Sequence, residues 1–159
     1  MAITHLPSGA REGVLTEERF EGRDLRALLA VLTTATRIVA DGDAVLRREG
    51  AGFRLVEFDV LASVYVAGSA RPSEILRRAS LSASAPTIHN VISRLEERGL
   101  VEREPHPEDA RGVLVTITGD GRDAVERTYP LIEQQVINRF ASHFSAEELL
   151  TIAGLLERA

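Results

Sequence analysis

Cysteine and lysine are both absent from the 159-residue sequence. Without cysteine the chain cannot form disulfides, thiolate metal sites or iron–sulfur clusters, and it cannot use a thiol as a nucleophile or redox sensor. All 19 cationic side chains are arginines, whose planar guanidinium groups can grip phosphate or guanine through two donors. No apolar stretch reaches the roughly 18 residues of a membrane span, and the N-terminal sequence lacks the pattern of a secretory signal. We therefore expect a cytoplasmic protein without a membrane partner.

The familiar catalytic and cofactor motifs are also missing. HExxH, GxGxxG, GxSxG and P-loop patterns do not occur, and the four histidines lie far apart at positions 5, 89, 106 and 143. Asp41-Gly-Asp43 begins like a calcium-binding loop, but Val45 occupies the next ligand position. The sequence therefore predicts no enzyme, no metal site and no cofactor. A net charge of −5 argues against non-specific coating of nucleic acid, but it is compatible with a local basic face.

Helical periodicity dominates both ends of the chain. Residues 1–23 hold scattered glycines and one proline, which indicates an arm or simply a frayed terminus. Between residues 24 and 48 apolar side chains recur on two faces, so this helix should be buried on both sides, against a second subunit or inside a monomeric bundle. After Gly119 and Gly121 the pattern predicts a long helix kinked at Pro130, and Ser145 then caps a final helix.

Residues 53–118 predict three short helices followed by a hairpin. The helices span 55–67, 73–79 and 84–98, and Gly99 ends the third. Strands 100–104 and 112–118 flank a protruding loop from Pro105 to Arg111. This order is that of a winged helix-turn-helix. The predicted fold class is mainly α with a small β-hairpin wing, between N- and C-terminal helices.

The helix predicted over residues 84–98 has an apolar face and an opposite polar face. The apolar face carries Ile88, Val91, Ile92 and Leu95, and the polar face carries Thr87, His89, Asn90 and Arg94. Such a polar face fits the major groove of DNA, where Asn90 could bridge an adenine and Arg94 could take a guanine or a phosphate. Thr87 could contact a thymine methyl or a phosphate, and Ser84 would favour a phosphate at the helix N-terminus. The alternative is an ordinary solvated face, because residues 71–118 carry seven arginines and seven acids and are therefore neutral overall.

Two segments resemble the MarR family of bacterial transcriptional regulators. The stretch Arg94-Leu-Glu-Glu-Arg-Gly-Leu-Val-Glu-Arg103 precedes Pro107-Glu-Asp109-Ala-Arg111-Gly-Val-Leu-Val115-Thr-Ile117-Thr118. The second stretch is similar to the family's wing, a D-x-R pattern followed by alternating apolar residues and a final threonine. The segment from Thr87 to Leu95 also resembles the family's recognition helix, although His89-Asn90 stands where many relatives have small residues or arginine. The resemblance covers roughly residues 25–158.

The resemblance implies a homodimer that binds pseudo-palindromic double-stranded DNA and acts as a repressor. Residues 24–50 and 119–159 would be dimerisation helices, and residues 53–118 the DNA-binding domain. Arg111 would enter the minor groove, and Asp109 would orient Arg111 by a charge-assisted bond. The alternative role of Asp109 is that of a turn-forming residue, and that of His89 is a solvent-facing helix position.

The resemblance also implies an unknown small-molecule effector, often an aromatic or phenolic acid in this family, that releases the repressor. Thr33, Thr36 and Arg37 are polar residues on the first helix, and Arg37 could hold a ligand carboxylate. Alternatively, Arg37 pairs with Asp41 one helical turn later. The competing function for the whole chain is a winged-helix module that binds another protein and not DNA. A strong salt dependence of duplex binding would distinguish the two functions.

Overall fold

The computed structural model describes residues 22–81 and 84–158, without the side chains of Arg23, Ala110 and Arg111. The predicted N-terminal arm lies outside the described residues, apart from positions 22 and 23. The fold class is confirmed: helices predominate, and one small antiparallel sheet forms the wing. The elements are α1 (Arg23–Arg48), α2 (Leu55–Ala67), β1 (Ser69–Ala70), α3 (Pro72–Arg78), α4 (Ala85–Glu97), β2 (Val101–His106), β3 (Asp109–Ile117), α5 (Gly119–Ile132), a π-helical turn (Glu133–Ile137), α6 (Asn138–Ala141) and α7 (Ala146–Leu156).

Internal contacts divide the chain into two compact units, one ending at Arg37 and one beginning at Ile38. The described part of the first unit is the N-terminal half of α1. Its large apolar side chains are exposed in the single chain, namely Leu28, Leu29, Val31 and Leu32. Among the described residues, the burial predicted for both faces of this helix is therefore not found in its N-terminal half, whereas Val45 and Leu46 near its C-terminal end are buried.

The core of the second unit joins the short helices to the sheet. Its largest fully buried side chains include Leu46, Leu61, Ile75, Ile88, Ile92 and Leu95. Three of them belong to α4, and burying a side chain of this size stabilises a fold by about 1.5–3 kcal/mol. The apolar face of α4 predicted from the sequence thus attaches this helix firmly to its scaffold.

The three strands lie in the order β1-β3-β2, and all pairs are antiparallel. The strand β1 was not predicted, because a two-residue strand has too few positions to show alternation. The predicted loop from Pro105 to Arg111 is also wrong: β2 continues to His106 and β3 begins at Asp109, so only positions 107 and 108 form the turn. Pro105 lies on β2, which is an edge strand, and it pairs with Val113 of β3. The missing N–H of proline is tolerated on an edge strand.

The helix ends follow local signals in the sequence. At the end of α4, Gly99 has a φ of 70°, and Leu100 N–H donates to Leu95 O at 2.9 Å while Gly99 N–H donates to Glu96 O at 2.8 Å. This is a Schellman motif, and glycine adopts the left-handed conformation that it requires. Pro130 lies inside α5, and the π-helical turn begins three residues later, at Glu133. The helix continues through Pro130 to Ile132, and the kink predicted at Pro130 stays a prediction.

Candidate nucleic-acid interface

The helix α4, which we call the reading helix, separates its apolar and polar residues cleanly. Ile88, Val91, Ile92 and Leu95 are buried, with at most 4% of their surface exposed. The residues singled out on the opposite face are all exposed, namely Thr87, His89, Asn90 and Arg94. The fold thus presents one short row of hydrogen-bonding side chains to solvent, on a helix that its buried face holds in place.

Ser84 caps the N-terminus of the reading helix. Its Oγ accepts a hydrogen bond from Thr87 N–H at 3.4 Å and lies 2.8 Å from Thr87 Oγ1. Pro86 occupies the first turn, where an N–H would have no partner within the helix. Ser84 and Thr87 therefore form one exposed hydroxyl pair at the positive end of the helix dipole, where an anion is favoured.

Asp59 of α2 holds the turn that leads into the reading helix. Its Oδ2 accepts a hydrogen bond from Leu81 N–H at 2.7 Å. Burial raises the pKa of the Asp59 carboxyl, and the backbone hydrogen bonds from Leu81 and Ser80 oppose that rise. Sequence analysis missed this residue, although an acid within the apolar run Leu55–Ala67 was a signal for a structural role.

Arg94 of the reading helix is both exposed and paired. Its side chain is 64% exposed, and its NH1 donates to Oε1 of Glu57 at 3.4 Å. Glu57 is itself buried and accepts a second hydrogen bond, from Arg54 N–H to Oε2 at 2.9 Å. Arg94 thus lies at the surface predicted for it, but a carboxylate of α2 that sequence analysis did not single out holds one edge of its guanidinium group.

The wing is the hairpin of β2 and β3, residues 101–117. At its tip, Glu108 N–H donates to His106 Nδ1 at 3.1 Å, and Oδ2 of Asp109 accepts a hydrogen bond from Arg71 NH1 at 3.1 Å. Arg71 precedes α3, so this ion pair ties the wing to the helix-turn-helix. The backbone of Arg111 lies in β3, but the side chain lies outside the described residues, and so does the contact with Asp109 predicted for it.

A second polar contact joins the wing to the C-terminal half of the reading helix. Arg103 of β2 donates to Ser93 Oγ at 3.1 Å and to Oε2 of Glu96. Glu96, an acid near the C-terminal end of the reading helix, is therefore engaged by an arginine. The wing and the reading helix form one connected polar surface, with Arg71 and Arg103 as links that sequence analysis did not single out.

The three residues suggested for an effector share one face of α1. Thr33, Thr36 and Arg37 are all exposed, and the Thr36 hydroxyl donates to Leu32 O at 2.8 Å within the helix.

In residues 22–81 and 84–158, no group of three or more acidic or histidine side chains could hold a metal ion. The helices of this part of the chain are all too short or too polar to span a membrane.

Comparisons of the chain with known proteins identify the family that it resembles. The family model for MarR matches residues 53–113. The multiple antibiotic resistance protein MarR of Escherichia coli is 33% identical over 102 residues, which cover 64% of this chain and 69% of that protein.

Solved structures extend the similarity beyond the matched segment. A crystal structure of a variant of E. coli MarR complexed with operator DNA has a TM-score of 0.75 at 26% identity, and covers 90% of this chain and 98% of that one. A structure of Bordetella bronchiseptica BpsR, a protein whose DNA binding is regulated by 6-hydroxynicotinic acid, has a TM-score of 0.72 at 27% identity and covers 87% of this chain and 93% of that one. The similarity therefore includes the helices on both sides of the winged helix-turn-helix.

Proposed function

This chain belongs to the MarR family of transcriptional regulators, and from that premise we propose that it is a homodimeric repressor that recognises a pseudo-palindromic DNA sequence. Relatives of this kind are regulators and not enzymes. The observation that carries the proposal is the exposed polar face of the reading helix, backed by four buried apolar side chains and flanked by the wing. We also propose that it acts in the cytoplasm, where bacterial DNA lies.

The polar face supplies the groups that the major groove of DNA recognises. In the proposal Asn90 pairs with an adenine, and Thr87 and His89 contact neighbouring base edges or phosphates. The hydroxyl of Ser84 and the first turn of the helix receive a phosphate. Arg94 contacts a phosphate or a guanine from the far end of the same helix.

The wing supplies a second contact in the adjacent minor groove. Arg111 would lie in that groove, where a narrow A·T tract attracts a guanidinium group. Asp109 orients Arg111, and the bond from Arg71 holds Asp109 in turn. The wing thereby fixes the register of the protein on the duplex, while the reading helix supplies the sequence preference.

A homodimer accounts for apolar surface that the single chain leaves exposed. Each of the two units has such residues: Leu28, Leu29, Val31 and Leu32 in the first, and Ile137, Phe144, Leu150, Leu155 and Leu156 in the second. Soluble proteins seldom leave large apolar patches uncovered. We therefore assign residues 24–50 and 119–159 to dimerisation and residues 53–118 to DNA binding. Two-fold symmetry would then set the reading helices about 34–36 Å apart, one helical turn of DNA.

The effector that we propose is a small aromatic acid, bound by Arg37 with Thr33 and Thr36. BpsR supplies the first compound to test, 6-hydroxynicotinic acid. A ligand changes the affinity for DNA only if it prefers one arrangement of the dimer over another. We expect an effector to weaken duplex binding in the wild-type chain and to lose that effect in Arg37→Ala. An equal effect on both chains would refute this site.

The proposed function is tested by selecting duplexes from a random-sequence pool with the purified chain at low and high salt. We expect enrichment of a two-fold symmetric motif with half-sites one helical turn apart, and its loss at high salt because phosphate contacts release counterions. Arg111→Ala should lower affinity for all sequences and reduce the salt dependence. If no sequence is enriched, a winged-helix module that binds another protein becomes the better account.

A further inference from the structure

Glu57 is the one charged side chain that is buried among the residues the structure describes. Only 8% of its surface is exposed, and the other buried polar residue in this part of the chain is Thr128. A buried carboxylate is costly unless hydrogen bonds or a cation compensate the lost hydration. The position of Glu57 therefore requires an explanation beyond the propensity of α2 to form a helix.

Capping explains only half of the interactions of Glu57. The helices α2 and α3 both follow an arginine and carry a glutamate at the third helical position, Glu57 and Glu74. Each glutamate accepts a hydrogen bond from the backbone N–H of its arginine, Arg54 or Arg71, at 2.9 Å. The second oxygen of Glu57, however, receives Arg94 NH1 of the reading helix at 3.4 Å. Within the described residues, Glu74 has no such partner on the reading helix.

The carboxylate of Glu57 is held in place from α1. Asp43 accepts a hydrogen bond from Leu55 N–H at 2.7 Å, and its other oxygen accepts from Nε and NH2 of Arg54 at 3.1 and 3.0 Å. These bonds fix the first turn of α2, on which Glu57 lies. Glu57 therefore has a fixed position, and its carboxylate can order the flexible side chain of Arg94.

We propose that Glu57 is a positioning residue of the DNA interface, which orders Arg94 so that the remaining donors of its guanidinium group meet a DNA phosphate. This inference rests on the proposed function. The pair uses NH1, and the 64% exposure of the Arg94 side chain leaves the rest of the group accessible. An unrestrained arginine side chain loses rotamer entropy when it is ordered, and Glu57 reduces the part of that loss that falls on DNA binding.

The test uses Glu57→Gln, with Glu74→Gln as the matched control. Glutamine can still accept the capping bond, so both variants keep their helix starts and lose one charge. The Kd for a duplex selected by the wild-type chain, and for a shuffled duplex, is measured over a range of salt concentrations. We expect Glu57→Gln to weaken specific binding about three- to ten-fold, and Glu74→Gln to bind like the wild-type chain.

Two further readouts separate positioning from a general structural role. If Glu57 acts through Arg94, Glu57→Gln should have no further effect in an Arg94→Gln background. The slope of log Kd against log salt should fall by about 0.9 in either single variant, because one phosphate contact is lost. A partly unfolded variant would lose active protein without changing that slope.

The outcomes decide between the two proposals. Tighter or unchanged binding by Glu57→Gln, or an equal loss in the Arg94→Gln background or in Glu74→Gln, overturns the positioning role and leaves the proposed function intact. Failure of the wild-type chain to prefer the selected duplex over the shuffled one overturns both proposals.

Discussion

Replacing Gly121 with alanine should destabilise the protein far more than the same change at Gly119, two residues earlier in the first turn of α5. A Cβ atom built at Gly121 would lie 2.0 Å from Leu100 O and 2.9 Å from Ile117 Cδ1. A Cβ at Gly119 would meet nothing within 4 Å. The close approach at Gly121 places α5 directly on the backbone that links the reading helix to the wing.

The loss of stability expected for Gly121→Ala depends on how far Leu100 O has to move to make room for the Cβ atom. An ordinary carbon–oxygen contact is about 3.3–3.6 Å, so Leu100 O would have to move by more than about 1 Å. That oxygen is a backbone atom and accepts the hydrogen bond from Thr118 N–H at 3.2 Å. Overpacking costs about 1–3 kcal/mol and a weakened hydrogen bond about 0.5–1.5 kcal/mol, so we expect a loss of about 2–4 kcal/mol for Gly121→Ala. Gly119→Ala should be neutral or stabilising by up to about 1 kcal/mol.

Urea unfolding at one fixed protein concentration measures both variants against the wild-type chain, with the midpoint and the slope reported separately. We expect a clear drop of the urea midpoint for Gly121→Ala alone. A free energy of unfolding for Gly121→Ala within about 0.5 kcal/mol of the wild-type value would refute it, since that is the range of inert surface substitutions. Equal losses of unfolding free energy in Gly121→Ala and Gly119→Ala would also refute this prediction.

Three other substitutions test the interface and its supports. Asn90→Ala should cost about 1–3 kcal/mol of affinity at one base position and relax the preference there, and equal losses on selected and random duplexes would contradict base recognition. Arg71→Gln should remove the bond to Asp109 and weaken duplex binding. The unfolding midpoint should stay nearly unchanged, because exposed ion pairs contribute about 0–1 kcal/mol. A large drop in stability would instead indicate a structural role for Arg71. Burial raises the pKa of Asp59 above its ordinary value, so the folded state favours the protonated carboxyl. The stability that this protonated carboxyl contributes is lost as pH rises through the raised pKa. The melting temperature of Asp59→Asn relative to the wild-type chain should therefore increase between pH 3 and pH 7, and a constant or falling difference would contradict this.

The parts of the fold that short-range patterns encode could be predicted from the sequence. Ser84 and Ser145 cap the helices predicted for them, and Gly99 ends the reading helix as expected. Each of these signals involves residues within five positions of one another, so a single sequence contains all the information needed. The apolar face of the reading helix was predictable for the same reason, because its period is that of the helix.

The prediction failed where a local signal was overruled by its surroundings. The local sequence predicts that a loop starts at Pro105, because proline lacks the N–H that a β-ladder uses. Pro105 lies on the edge strand β2, opposite Val113 of the central strand β3, so its missing N–H is tolerated there and β2 continues to His106. Position in the sheet, which the local sequence does not reveal, decided the outcome.

The supports of the candidate interface could not be predicted because their partners are distant in sequence. Glu57 meets Arg94 across 37 positions, and Asp59 meets Leu81 across 22. Arg71 meets Asp109 across 38 positions. Spacing rules find side chains that share a helix face, but they do not find pairs that only the tertiary fold brings together. The exposed polar face was therefore recognisable from the sequence, whereas the carboxylates and arginine that hold it were not.

The most direct test of sequence-specific DNA binding is the ratio of the Kd for the selected duplex to that for a shuffled duplex of equal length, measured with the full chain over a range of salt concentrations. We predict that the selected duplex binds about 10³-fold or more tightly, and that both affinities fall steeply as salt increases. Two chains should bind each selected duplex. Equal affinity for both duplexes, or binding that salt does not weaken, would contradict the account.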